Sequence, residues 1–129
     1  MIIQGLMEVL QPMTILLVAI GTVVGIIFGA IPGLTATMAI VMFLPVTYSM
    51  AASEGISMLM ALYIGGISGG LISAILLNIP GTPSSVATCF DGKPMANKGE
   101  AGKALGSGVV FSFVGTIIGI GLLVVLSPV

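Results

Sequence analysis

Two short breaks, Ile31-Pro32-Gly33 and Ile79-Pro80-Gly81, each close a long uncharged apolar run, and no other feature restricts the chain as much. Proline has no N–H to donate and clashes with the preceding turn, so a helix arriving at either site must stop. Glycine lets the backbone turn sharply at the same point. The apolar runs, about 13–31, 57–79 and 104–127, contain no Asp, Glu, Lys or Arg. A stretch of about 20 such residues crosses a bilayer. A helix broken at membrane depth leaves carbonyls on one side and N–H groups on the other. It survives only where protein buries the break or where the break lines a wet cavity. The breaks are therefore where a ligand site is expected.

Composition supports the membrane assignment. The chain is 57% hydrophobic and 5% charged, against about 25% charged residues in a soluble domain. Its net charge of −1 offers no basic surface for nucleic acid. With no His and a single cysteine, Cys89, it has no disulfide, zinc cluster or histidine base. Cys89 is expected to pack as a small apolar residue. The 19 glycines, placed within apolar runs, allow close approach of helix backbones.

In chain order, residues 1–12 lack the Lys or Arg that opens a secretory signal and read as a short interfacial helix ending at Pro12. In the run that follows, Gly21, Gly25, Gly29 and Gly33 recur every four residues and form one smooth stripe for helix packing. A short apolar segment, 36–47, begins after Thr35, a hydroxyl suited to the N-cap. Residues 46–56 form a polar connection, with Tyr48 at headgroup level, Ser53-Glu54 opening the next helix and Glu54 as a solvated charge. The second long run carries Gly65-Gly66 and Gly69-Gly70 before its own break. The order helix, Ile-Pro-Gly, hydroxyl, short segment thus occurs twice. Residues 91–103 hold all three lysines and read as a hydrophilic loop, cytoplasmic by the positive-inside rule. Gly99-Glu-Ala-Gly-Lys103 is no phosphate loop, since its spacing is short and Ala104 replaces the required Ser or Thr.

The second break continues as Thr82-Pro83-Ser84-Ser85, a fresh helix start with a hydroxyl cap and proline in the first turn. A helix N-terminus presents unpaired N–H groups and about half a positive charge. Two such termini facing a cavity could hold carboxylates without a buried cation, which is costly in lipid. The carbonyls stranded before Pro80, with the Asn78 amide, suit a small hard cation such as Na⁺. Discontinuous helices at corresponding positions are the sequence pointer to a secondary-transporter site. The candidate substrate-binding residues are Pro32, Gly33, Thr35, Asn78, Pro80, Gly81, Thr82, Ser84 and Ser85.

Several blocks resemble the large membrane subunit of tripartite tricarboxylate transporters, the TctA-type family. They are Gly29-Ala-Ile-Pro-Gly-Leu-Thr-Ala-Thr-Met-Ala-Ile40, Leu44-Pro-Val-Thr-Tyr48 and Gly65-Gly-Ile-Ser-Gly-Gly70. Ala74-Ile-Leu-Leu-Asn-Ile-Pro-Gly-Thr-Pro-Ser-Ser-Val-Ala-Thr88 and the stretch from Asp91-Gly-Lys-Pro-Met95 to Gly106 complete the match, which covers residues 20–110. The resemblance implies uptake of citrate-like carboxylates driven by an ion gradient, with Na⁺ or H⁺ as coupling ion and no cofactor. It implies a small membrane partner subunit, a periplasmic solute-binding protein and a bacterial inner-membrane location. It also implies an inverted-repeat transporter several times longer, of which this chain matches the N-terminal portion.

The expected fold is all-α and polytopic, a single membrane domain over 1–129 with two Pro-Gly-broken, discontinuous or re-entrant helices. The expected function is carboxylate transport as part of the permease subunit. A small glycine-rich packing protein that transports nothing is the alternative. An enzyme is not expected, because the apolar runs hold no acid–base pair.

Overall fold

Each apolar run becomes a helix, and the two Ile-Pro-Gly breaks fall between helices. The computed structural model describes residues 2–127, which form helices and turns and no strand. The order is α1 (Ile2–Val9), α2 (Pro12–Ala30), α3 (Ala36–Thr47) and α4 (Ala52–Leu77), then a 3₁₀ turn (Pro83–Ser85), α5 (Val86–Asn97) and α6 (Ala101–Leu126). By length and composition α2, α4 and α6 can each cross a membrane. The first helix stops at Val9, and Pro12 instead opens α2, where its missing N–H would have had no helical partner.

The packing centre is the contact between α2 and α4. A Cβ on Gly21 would stand 2.9 Å from the Met58 carbonyl oxygen, and one on Gly25 would run into the Leu62 carbonyl and the Gly66 amide. A Cβ on Gly29 would overlap the backbone of Gly66, while those on Gly65 and Gly69 would meet the Thr22 and Ile26 carbonyls. Glycines on both helices thus bring the two backbones together. Small residues do this work in lipid, where the hydrophobic effect cannot hold helices together. Because Gly21, Gly25 and Gly29 meet positions that advance from Met58 to Gly66, the two helices run in the same direction.

Contacts along α4 fix the remaining elements. Ala36 at the start of α3 lies on Gly66, and Thr47 at its end lies on Gly55, so α3 runs back along α4. After Leu77 the chain also doubles back, because Gly81 and Thr82 pack on Gly70. From there α5 climbs again beside α4, with Gly92 on Ile75 and the Lys93 ammonium donating to the Leu76 carbonyl (2.7 Å). Finally α6 descends, with Ala104 near Ile75 and Gly108 against Leu71. Both segments that follow a break therefore return toward the end of α4 from which they came. Their turning points lie level with Gly66–Gly70, just past the middle of a helix of roughly 39 Å.

The stretch 91–103, expected as a hydrophilic loop, is mostly helical: residues 91–97 complete α5 and 101–103 open α6. Pro94 and Gly92 argue for a loop locally, but tertiary packing overrides them. Gly92 lets α5 lie directly on Ile75, and Lys93 ties its helix to the end of α4. Only Lys98, Gly99 and Glu100 remain as connection, with Gly99 at φ 81°. The Lys103–Glu100 ion pair there (2.7 Å) is largely exposed and contributes little.

The glycine contact makes a direct prediction. Gly66→Val should lower stability by about 1–3 kcal/mol or prevent folding, since its Cβ meets Ala36. Gly119→Ala, with nothing within 4 Å, should leave the melting temperature in detergent unchanged. Equal melting of the two variants would refute the packing argument.

Candidate functional site

The two turning points meet. Thr35, Ala36 and Thr37 after the first break, and Gly81, Thr82, Pro83 and Ser84 after the second, line one cavity of about 450 Å³ together with Tyr63 and Ile67 of α4. Five of these nine side chains carry a hydroxyl, and none is charged. The first turn of α3 borders the cavity, so its unpaired N–H groups lie at the same place.

Local chemistry holds each tip in shape. The Thr35 hydroxyl accepts from the Met38 N–H (3.3 Å), the N-cap expected of it. At the second tip the Thr82 N–H donates to the Ser85 hydroxyl (3.2 Å), which in turn donates to the Thr82 carbonyl (2.8 Å). The Ser85 N–H also reaches that carbonyl, at 3.0 Å. The Thr82 and Ser84 hydroxyls are bonded to each other at 3.0 Å. Gly81 must be glycine here: a Cβ would stand 2.8 Å from both the Gly29 carbonyl and the Ser73 hydroxyl. The second tip is thereby seated on the end of α2.

The sequence-derived residues divide into three groups. Thr35, Gly81, Thr82 and Ser84 come together at the cavity. Ser85 is buried beneath it as a structural support. Pro32 and Gly33 form the exposed apex of the first turn, with Gly33 at φ 94°. Asn78 and Pro80 face the other side of the second break, where they line a separate pocket of about 420 Å³ with Val86, Cys89, Phe90, Lys93 and Pro94. Cys89, expected in apolar packing, is half-buried there.

Asn78 serves chiefly as the C-cap of α4. It adopts the left-handed conformation (φ 59°, ψ 27°), which Asn tolerates better than most residues. Its N–H donates to the Ala74 carbonyl (3.2 Å) and the Ile79 N–H to the Ser73 carbonyl (3.4 Å). The Leu76 carbonyl is taken by Lys93. The helix end read as a Na⁺ site from the sequence already carries a cation, and it is the chain's own lysine.

Thr37, Tyr63 and Ile67 escaped the sequence reading. Tyr63 was legible in principle, as a phenol inside an uncharged run on the face it shares with Gly66, Ile67 and Gly70. Among the described residues, no cluster of His, Cys, Asp or Glu could hold a metal ion.

Apolar helices of spanning length, with two interrupted segments meeting in an uncharged hydroxyl-lined cavity, define a polytopic membrane protein. The chain belongs to the tripartite tricarboxylate transporter TctA family, whose description matches residues 15–129. This is a family of transporters rather than enzymes. The chain is also 36% identical over 124 residues to an uncharacterized 52.8 kDa protein in the TAR-I ttuC' 3' region of Agrobacterium vitis. That match covers 96% of this chain and 25% of the relative, so the chain spans about a quarter of its length. No solved structure matches the chain.

The hydroxyls should separate by role. Ser85→Ala leaves the Thr82 N–H without its buried partner and should cost about 1–3 kcal/mol, read as a lower melting temperature. Ser84→Ala, which removes the partly buried bond to the Thr82 hydroxyl from an exposed position, should cost less than Ser85→Ala, about 0.5–1 kcal/mol. A reversed order of melting temperatures would contradict the assigned hydrogen bonds.

Proposed function

We propose that this chain contributes the carboxylate-binding part of an ion-gradient-driven permease for tricarboxylates or related carboxylates. The observation that carries the proposal is the convergence of both break tips on one hydroxyl-lined cavity without a charged side chain. Helix N–H groups and hydroxyls can hold a carboxylate there, and the helix dipole supplies favourable potential at no cost of a buried cation. A binding site at a break in a membrane helix is the arrangement expected of secondary transporters. Family membership supports the substrate class, and with it a small membrane subunit and a periplasmic solute-binding protein as partners in a bacterial inner membrane.

Orientation follows from the lysines. Lys93, Lys98 and Lys103 cluster where α5 ends and α6 begins, beside the C-terminal end of α4. The positive-inside rule supports a cytoplasmic side for that end. On that orientation the second tip reaches the cavity from the cytoplasm and the first from the opposite side, an arrangement compatible with alternating access.

Uptake of labelled citrate by the full transporter in membrane vesicles tests this. Thr82→Val and Thr35→Val should each raise KM about tenfold or abolish uptake at unchanged membrane abundance, each removing a hydroxyl from the cavity. Gly102→Ala, in open space, should transport as the parent does. Normal uptake by both threonine variants would remove substrate binding from this cavity and leave this part of the chain a packing role.

A further inference from the structure

The pocket on the α5 side of the second break differs from the tip cavity in carrying a charge. The extended segment between Asn78 and Thr82 separates the two: Pro80 borders one, and its neighbours Gly81 and Thr82 border the other. They therefore lie back to back across a single strand of chain. On the outer side stands Lys93, whose ammonium has three donors and uses one of them on the Leu76 carbonyl. The C-terminus of α4 offsets only about half a charge.

No acid side chain completes the neutralisation among the described residues. Asp91 lies on another face of α5, against Gly92, Ala104 and Ser107, and Glu100 pairs with Lys103. The same pocket is lined by Asn78, whose backbone is fixed as the left-handed C-cap of α4 two residues beyond Leu76. An ammonium and a carboxamide lining one pocket can donate to the two oxygens of a carboxylate, and hydrogen bonds to an ionised group are the stronger ones. The pocket's volume suits a small organic anion.

We propose that this pocket is a second carboxylate site, in which Lys93 and Asn78 hold an anion on the far side of the break from the tip cavity. The ligand class rests on the transport reading above. A free carboxylate is the fitting occupant rather than a lipid phosphate, because the walls are the break itself and α5. An anion here is one strand away from the tip cavity, so it can be passed on or received when the second tip moves.

Cys89 lines this pocket and is the single cysteine of these 129 residues, so it reports occupancy once any cysteine elsewhere in the transporter is replaced by serine. The rate of its alkylation by N-ethylmaleimide is measured on the full chain in phosphatidylcholine nanodiscs, with and without citrate. Citrate should slow the reaction. Lys93→Gln should raise the half-protecting citrate concentration about tenfold, and Lys93→Arg should restore it to within about twofold. Thr82→Val should leave protection intact while lowering uptake, which separates failure of this site from failure of the tip cavity. The rates of Cys89 modification by anionic and cationic methanethiosulfonates, each divided by that reagent's rate with a free thiol, give a readout without mutating Lys93, and their ratio should favour the anion. Absence of protection, protection indifferent to Lys93→Gln, its loss in Thr82→Val or preference for the cationic reagent would each overturn the proposal. Equal protection by phosphatidylglycerol without citrate would do so too, assigning the pocket to lipid.

Discussion

The contact between the α2 and α4 backbones is the constraint from which the rest of the structure follows. In water a pair of helices can be held by burying large side chains, but in lipid the same side chains are equally content facing acyl tails. What remains is dispersion and close complementarity, which glycine provides by removing everything between the backbones. Gly25, Gly29, Gly65, Gly66 and Gly69 are placed so that a methyl group on any of them would strike backbone atoms of a neighbour. The pairing in turn creates the floor on which both breaks rest: Ala36 on Gly66, Thr82 on Gly70, and Gly81 against the end of α2.

That floor explains why two interruptions far apart in sequence form one cavity. Each break supplies a helix start and a hydroxyl, and each is locally self-sufficient through its own cap. Neither carries information about the other. They meet because α2 and α4 are parallel and in a fixed register, so the end of α2 lies beside the part of α4 to which the second break returns. The buried polar side chains are satisfied by local bonds. The cavity is therefore lined by hydroxyls ranging from exposed Thr37, Tyr63 and Ser84 to buried Thr82, with the first turn of α3 beside them and no buried charge whose desolvation would need compensation.

The two sides of the second break illustrate how one motif can be divided. Asn78 and Ser85, both read from the sequence as ligand contacts, are used largely to shape the chain: one ends a helix in the left-handed conformation, the other cross-links its own turn. Sequence alone places Lys93 with its neighbours in a hydrophilic loop, yet it closes the end of α4 and gives the outer pocket its charge. In each case the residue type was informative about chemistry and silent about which partner it would find.

By itself the sequence determined the membrane class, the positions of the long helices, the two interruptions and the Thr35 cap. These are local matters: uncharged length, missing N–H groups and a hydroxyl at the right offset act within a few residues. The glycine spacing also announced a helix-packing face. Only the tertiary structure decided which helix lies on that face, that both segments after the breaks turn back, and that Tyr63 and Thr37 join the cavity. It also turned most of 91–103 into helix, against a local Gly and Pro. Those outcomes depend on the fit between surfaces remote in sequence, where a difference of one methyl group separates contact from collision.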